Sequence, residues 1–314
     1  MQPASPSAAC FGKLPTHGDF VRHHAGGRAM RAFDEWVQRD VAQARSVSGE
    51  APPEGTTACF FADMPGAPHA LAGAFRPSRD RTGRRYPFLV AVEVEKRQVD
   101  GRRIPSWPAR YRAFYDAAAG LVDDAVEGRL AEGTLAGRLQ TLRSIHDATP
   151  FLVDYEFRLR QAPSRDLWAR TWGDSEDGRK YVTLKNLTDA LGRARNGHGH
   201  LPAALRLPLP SATGDLDVSF WLETCWQMLG ATPDAPLFFW TASPGASNTL
   251  LLAPVPPPRG LFTAGPTLTD GVLVLDDARG EPAALAALAL PPRLGSLLEH
   301  EAMTLLDFIR RINR

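Results

Sequence analysis

Three short apolar stretches follow one another between residues 56 and 95 and limit what this chain can become: TTACFFAD, HALAGAFRP and RYPFLVAVEVE. Turn residues separate them, so they read as three strands, antiparallel neighbours in one sheet. Helical spacing flanks them on both sides. From Arg28 to Val41 the apolar residues Met30, Phe33, Trp36, Val37 and Val41 recur at helical intervals, behind a Gly26-Gly27 start. SGEAPPEG then breaks the chain. After the strands, SWPARYRAFYDAAAGLVDDAVEG carries a stripe of Tyr111, Phe114, Tyr115, Ala118 and Val122, with Ser106 expected as N-cap and Pro108 in the first turn. TLAGRLQTLRSI sets Leu135, Leu139, Leu142 and Ile145 on one face.

The second half is less regular. ALRLPLP, APLFFWT, NTLLLAP and GVLVLDD are strand candidates, VSFWLETCWQML reads as a helix, and NGHGHLP as a loop. GSLLEHEAMTLLDFIRRIN reads as one amphipathic helix burying Leu297, Leu298, Met303, Leu306 and Ile309. APVPPPRG is a connection without core-forming capacity, and the stretch from about 147 to 200 has no assigned place. Mixed strands and helices predict an α/β layered sandwich, with a mixed, largely antiparallel sheet flanked by helices. Two regions are expected: 9–146, and a C-terminal α/β region, 147–314, able to pack on the same sheet.

The 314 residues are 44% hydrophobic and 23% charged, enough for a sizeable core. Net charge is +1, so no global field draws the chain to nucleic acid or membrane. Up to residue 145 there are 20 Lys/Arg against 16 Asp/Glu, and after it 16 against 19, which leaves room only for a local basic patch. The start, MQPASPSAACFG, lacks a basic region followed by an apolar one and does not read as a secretory signal. No stretch approaches the ~20 apolar residues of a membrane helix. Cys10, Cys59 and Cys225 are odd in number and far apart, as expected of buried reduced thiols in a cytoplasmic protein.

Residues 10–23, CFGKLPTHGDFVRH, concentrate polar chemistry in a glycine-rich setting. A phosphate loop would need GxxxxGK[ST], but Lys13 is followed by Leu14 and no glycine stands five residues before Gly12. Neither HExxH nor CxxC occurs, His23 and His24 are adjacent, and His198 and His200 sit among glycines, so no metal or cofactor is expected. No GxSxG elbow marks a nucleophile, and no catalytic residue is expected.

A second stretch, FRPSRDRTGRRYPF, places Arg76, Arg79, Arg81, Arg84 and Arg85 around a single Asp80. Guanidinium groups bind phosphate or an acidic protein surface through paired hydrogen bonds. Equally, this is a turn in which Asp80 accepts local hydrogen bonds and Gly83 supplies a positive φ. Both readings stand at this point.

Taken in order, the two stretches resemble the TagF family, also called ImpM, of bacterial type VI secretion accessory proteins. Residues Phe11 to Phe20 fit the family's first motif: Gly12, Lys13, Leu14, Pro15, His17, Gly18, Asp19 and Phe20. Pro77, Ser78, Asp80, Gly83, Arg84, Tyr86 and Pro87 fit the second, with Arg79 standing where an apolar residue is more usual. The resemblance covers about residues 9 to 145 and is loose over SFWLETCWQML. It implies an α/β fold and a non-enzymatic, post-translational negative regulator of type VI secretion, acting by contact with the forkhead-associated scaffold protein, Fha. The alternative is a sensor of a phosphorylated small ligand or nucleotide, using the basic 76–85 stretch.

Gly12, Pro15 and Gly18 then make a fixed turn presenting Lys13, His17 and Asp19. The 11–20 loop is expected to lie against the 77–87 turn through at least one contact of Asp19 or Asp80 with Lys13, Arg81 or Arg84. The resulting ridge, with Arg79 or Arg85 exposed beside it, is the expected partner-binding surface.

Overall fold

The computed structural model describes residues 8–47, 55–96, 101–131, 133–147, 153–197, 200–201, 203–212, 214–230, 236–241, 247–265, 268, 270–279, 282–300 and 302–313. Among these the chain runs β1 (Ala9–Gly12), β2 (Val21–His23), α1 (Arg28–Val47), β3 (Ala58–Asp63), β4 (His69–Arg76) and β5 (Phe88–Glu95). Then come α2 (Trp107–Arg110), α3 (Arg112–Val126), α4 (Leu135–Asp147), α5 (Val153–Gln161), α6 (Ser164–Trp172) and α7 (Arg179–Asn196). The rest is β6 (Ala204–Pro208), α8 (Asp215–Leu229), β7 (Leu237–Thr241), β8 (Thr249–Leu252), α9 (Leu261–Ala264), β9 (Val272–Val274), α10 (Ala283–Ala289), α11 (Pro292–Glu299) and α12 (Leu305–Arg311).

The nine described strands form one sheet in the order β2-β1-β5-β4-β3-β7-β8-β6-β9. All neighbours are antiparallel except β6 and β9. The three apolar stretches of the first half are the adjacent β3, β4 and β5, as expected. The α/β class is likewise as expected. β3 also pairs with β7, Phe60 opposite Phe239, so both halves of the chain contribute to the same sheet.

Alternation along the strands divides the core. Phe60 faces α1, stacking on Phe33 with ring centroids 4.9 Å apart. Its neighbour Phe61 faces the opposite way, edge-on to Trp107 at 5.0 Å. The first face buries Met30, Phe33, Trp36, Val37 and Val41 of α1 with Leu71, Phe75, Phe239 and Phe262. The second face carries the larger core, including Phe114, Tyr115, Ala118 and Val122 of α3, Leu139 and Leu142 of α4, and the packed face of α8. A strand buried on both faces has few polar positions, which is why β3, β4 and β5 read as nearly continuous apolar runs.

Three local expectations are corrected. Ser106 stands at the N-cap position of α2, but its hydroxyl donates to the Arg103 carbonyl oxygen at 2.7 Å, because the preceding residues Gly101–Ser106 already form a 3-10 turn. The expected single helix there divides at Tyr111 into α2 and α3. The expected C-terminal helix also divides, into α11 and α12. Thr304 caps the second piece, accepting from Asp307 N at 3.1 Å, so backbone groups released at the break find new partners.

The stretch without an assigned place contributes α5, α6 and α7. Of these, α5 and α6 are tied to α8 by two-pronged ion pairs, Arg158 to Asp215 at 2.8 and 3.1 Å and Arg170 to Asp217 at 2.8 and 2.6 Å. The NGHGHLP loop lies partly outside the described residues. None of the described helices is long and apolar enough to cross a membrane.

Candidate functional site

β1 and β2 form a hairpin whose connection, residues 13–20, is the first motif. Entry into it depends on Gly12. Its φ is +136°, and a Cβ there would stand 2.1 Å from the Pro87 carbonyl oxygen. Only glycine permits both the conformation and this approach to the backbone at the end of the second motif. Inside the loop, His17 N donates to Leu14 O at 3.0 Å, closing a turn around Pro15.

The second motif is also a tight turn. Arg79 and Arg85 face each other across an antiparallel bridge. Asp80 N donates to Arg84 O at 3.0 Å, and Gly83, with φ +86°, donates to Asp80 O at 2.9 Å. The two motifs meet along their backbones as well, where Arg81 N donates to His17 O at 2.8 Å.

Asp80 is the centre of the junction. Its Oδ2 accepts from Lys13 Nζ at 2.7 Å and from Arg84 Nε at 2.7 Å. Its Oδ1 accepts from Thr82 N at 3.0 Å, Thr82 Oγ1 at 2.7 Å and Arg84 N at 3.0 Å. Arg84 Nη2 continues to the Gly18 carbonyl at 2.6 Å. Burial alone would raise the Asp80 pKa. The hydrogen bonds from Lys13, Thr82 and Arg84 outweigh it and hold the carboxyl well below the usual carboxylate range. With five donors on two oxygens, this carboxylate is a structural anion rather than a proton acceptor.

Aromatic rings complete the site. Phe11 and Phe20 stack at 5.2 Å, and Tyr86 stands edge-on to them at 5.5 and 5.0 Å. Lys13 Nζ lies 5.0 Å from the Phe20 ring centre, and the Arg22 guanidinium 4.5 Å from that of Phe11. Such placements favour the cation over bulk water. The Tyr86 hydroxyl donates to Asp34 Oδ1, anchoring the cluster to α1.

The expected contact between the motifs is thus made through Lys13, Arg84 and Asp80. Gly12, Lys13 and Leu14 are buried, while His17, Asp19, Arg79, Arg81, Arg84 and Arg85 are exposed around them. Asp19 does not join the second motif. Its Oδ1 accepts from Phe20 N at 2.8 Å, a local bond that stiffens the loop end. Sequence reasoning missed Thr82, Asp34 and Arg22. Thr82 was findable, since an Asp followed two residues later by Thr is a common turn arrangement. Asp34 and Arg22 carry no such local signal, because only the tertiary fold brings them to Tyr86 and Phe11.

Among the described residues, no group of three or more His, Cys, Asp and Glu is arranged to hold a metal ion. Residues 9–142 match a family model described as TagF N-terminal domain, Type VI secretion system-associated. A search of curated proteins finds no match. Among solved structures, the crystal structure of PA0076 from Pseudomonas aeruginosa PAO1 at 2.05 Å resolution is 20% identical, with a TM-score of 0.37. That likeness covers 46% of this chain and 64% of PA0076, less than two thirds of it.

Proposed function

Residues 9–142 belong to the TagF N-terminal domain family, which is type VI secretion system-associated, and from this premise we propose that the protein is a non-enzymatic negative regulator of that system. It acts in the cytoplasm by contact with the forkhead-associated scaffold protein, Fha. The family match is the observation that carries this reading. The motif geometry supports it, because Lys13, Asp80 and Arg84 satisfy one another and hold a rigid ridge instead of facing a substrate. Arg79 and Arg85, placed opposite each other on that ridge, are the contact residues of the proposal.

The test joins secretion to binding. Deleting the gene raises type VI secretion, restoring it represses secretion, and purified protein binds Fha. Arg79→Ala leaves stability within ~0.5 kcal/mol, as exposed changes usually do, and weakens Fha binding. Unchanged secretion on deletion, together with no Fha binding, overturns the reading. A thermal shift with nucleotides or phosphopeptides that is absent in Arg79→Ala would favour a ligand sensor instead.

A further inference from the structure

The reverse side of the first motif borders a cleft of about 170 Å³, between the β1–β2 hairpin and the connection from α3 to α4. Leu14, Val21, Leu130 and Leu135 give it an apolar lining, and His17 and His23 stand on the hairpin side. For scale, an engineered apolar cavity of about 150 Å³ takes up one benzene ring. The cleft therefore has room for one leucine, methionine or phenyl side chain.

Its electrical surroundings are lopsided. The loop tip at its edge is overlaid by the basic turn: a Gly18 Cβ would lie 3.4 Å from the Arg81 guanidinium, and Arg84 bonds the Gly18 carbonyl at 2.6 Å. Arg79, Arg81, Arg84 and Arg85 are exposed there, while the one acid among them, Asp80, is buried and already bonded. On the helical side, Asp124 is held by Arg129 at 3.0 Å and Arg138 at 3.3 Å, and Glu127 by Arg76 at 2.7 Å. Asp19 is the exposed acid of the loop itself, and it bonds the Phe20 N–H.

We propose that this cleft is an anchor pocket for a partner protein. It takes one apolar side chain borne on an acidic segment, whose carboxylates lie along Arg79 and Arg81. The charge of the partner is set by the exposed arginines, and its anchor by the lining and size of the cleft. Identifying that partner as Fha rests on the regulator reading above.

The experiment uses the full chain with labelled methyl groups and two capped tripeptides as probes. Acetyl-Glu-Leu-Glu-amide at millimolar concentration is expected to shift the Leu14, Val21, Leu130 and Leu135 methyl signals saturably. Acetyl-Lys-Leu-Lys-amide should bind at least threefold more weakly. Ala131 and Ala136 line the cleft and are exposed, so Ala131→Phe and Ala136→Phe fill it without touching the core. Both variants should abolish the shifts with unchanged thermal midpoints.

Absent shifts, shifts that persist in both variants, or equal binding of the two peptides would overturn the proposal. Against Fha, each filled variant should lose about tenfold in affinity, as loss of an anchor contact does. Wild-type binding that neither variant weakens overturns the anchor pocket and leaves the regulator reading standing. If the wild type takes the acidic peptide but does not bind Fha, the cleft stands and the Fha contact falls.

Discussion

Lys13 and Asp80 lie 67 residues apart in sequence and meet at 2.7 Å, with side chains only 5% and 0% exposed. Each charge is buried on the strength of the other. This ion pair, more than any single hydrogen bond, welds the two motifs into one body.

Removing Asp80 therefore costs more than removing Arg84. Asp80→Ala strands the Lys13 ammonium without its partner, whereas Arg84 is 55% exposed and its pairing is partly replaced by water. Urea titration should show Arg84→Ala losing about 1 kcal/mol, the upper end for an exposed pair, and Asp80→Ala losing clearly more. The double change Lys13→Met with Asp80→Leu should lose less than the sum of the two single changes. Because the folded Asp80 pKa is depressed, its stabilisation is complete above the unfolded carboxylate range and fades as pH falls through the folded value. The stability gap between wild type and Asp80→Asn should accordingly be flat at neutral pH and narrow progressively once pH falls below the unfolded carboxylate range.

Two glycines separate conformational strain from collision. Gly83 has φ +86° and open space where a Cβ would go, so Gly83→Ala should cost about 1–2 kcal/mol, the price of a left-handed alanine. Gly12 adds the 2.1 Å approach to Pro87 O, a backbone atom that cannot swing aside. Gly12→Ala should be far more damaging, measured as a larger fall in thermal midpoint or loss of soluble protein. Equal effects would contradict the packing of the hairpin on residues 87–88.

Glu223 predicts a pH dependence of the opposite sign. Burial raises its pKa to about 7, with the Tyr155 hydroxyl pulling it down and the Glu156 charge pushing it up. The folded protein then holds a proton that the unfolded chain releases, so the contribution of Glu223 to stability is greatest below pH 4.5 and declines as pH rises to about 7. The contribution reaches about 3 kcal/mol across that window. Glu223→Gln should flatten this part of the stability curve, and a curve that keeps its slope in the variant would place the proton elsewhere.

The three thiols should be silent in the native state. Cys10 and Cys225 are buried, and burial pushes each pKa up to about 12, while Cys59 is shifted the same way. Thiolate is the reacting form, so a disulfide reagent at neutral pH should label no cysteine before unfolding and all three after it. Rapid labelling of native protein would show that one of these sites opens.

Legibility in the sequence followed the range of the forces involved. β3, β4 and β5 announce themselves as nearly continuous apolar runs bounded by turns, and α1 as an apolar stripe at helical spacing, both signals complete within a few residues. The contact of Lys13 with Asp80 was within reach because both lie in motif turns, although Asp19 was an equally good candidate by charge alone. What decides against Asp19 is position, since it sits on the exposed rim and spends its carboxylate on Phe20 N. α5, α6 and α7 were illegible for a different reason. Arg158 and Arg170 pair with Asp215 and Asp217, 57 and 47 residues further along, so what holds α5 and α6 in place is supplied by the tertiary fold and leaves no local pattern. The α11–α12 break was hidden because both pieces bury leucines at compatible spacing, and only the Thr304 cap separates them.

The pairing of β3 with both β4 and β7 has a consequence for synthesis. As the chain leaves the ribosome, β4 and β5 follow β3 almost at once, but β7 comes only after α2 to α8. Until then β3 presents an unpaired edge bearing Phe60 and Phe61, a template for joining another nascent chain. Ending translation after residue 146 makes that exposure permanent. The truncated product should be recovered in inclusion bodies or bound to chaperones, even though it contains the whole family segment and both motifs intact.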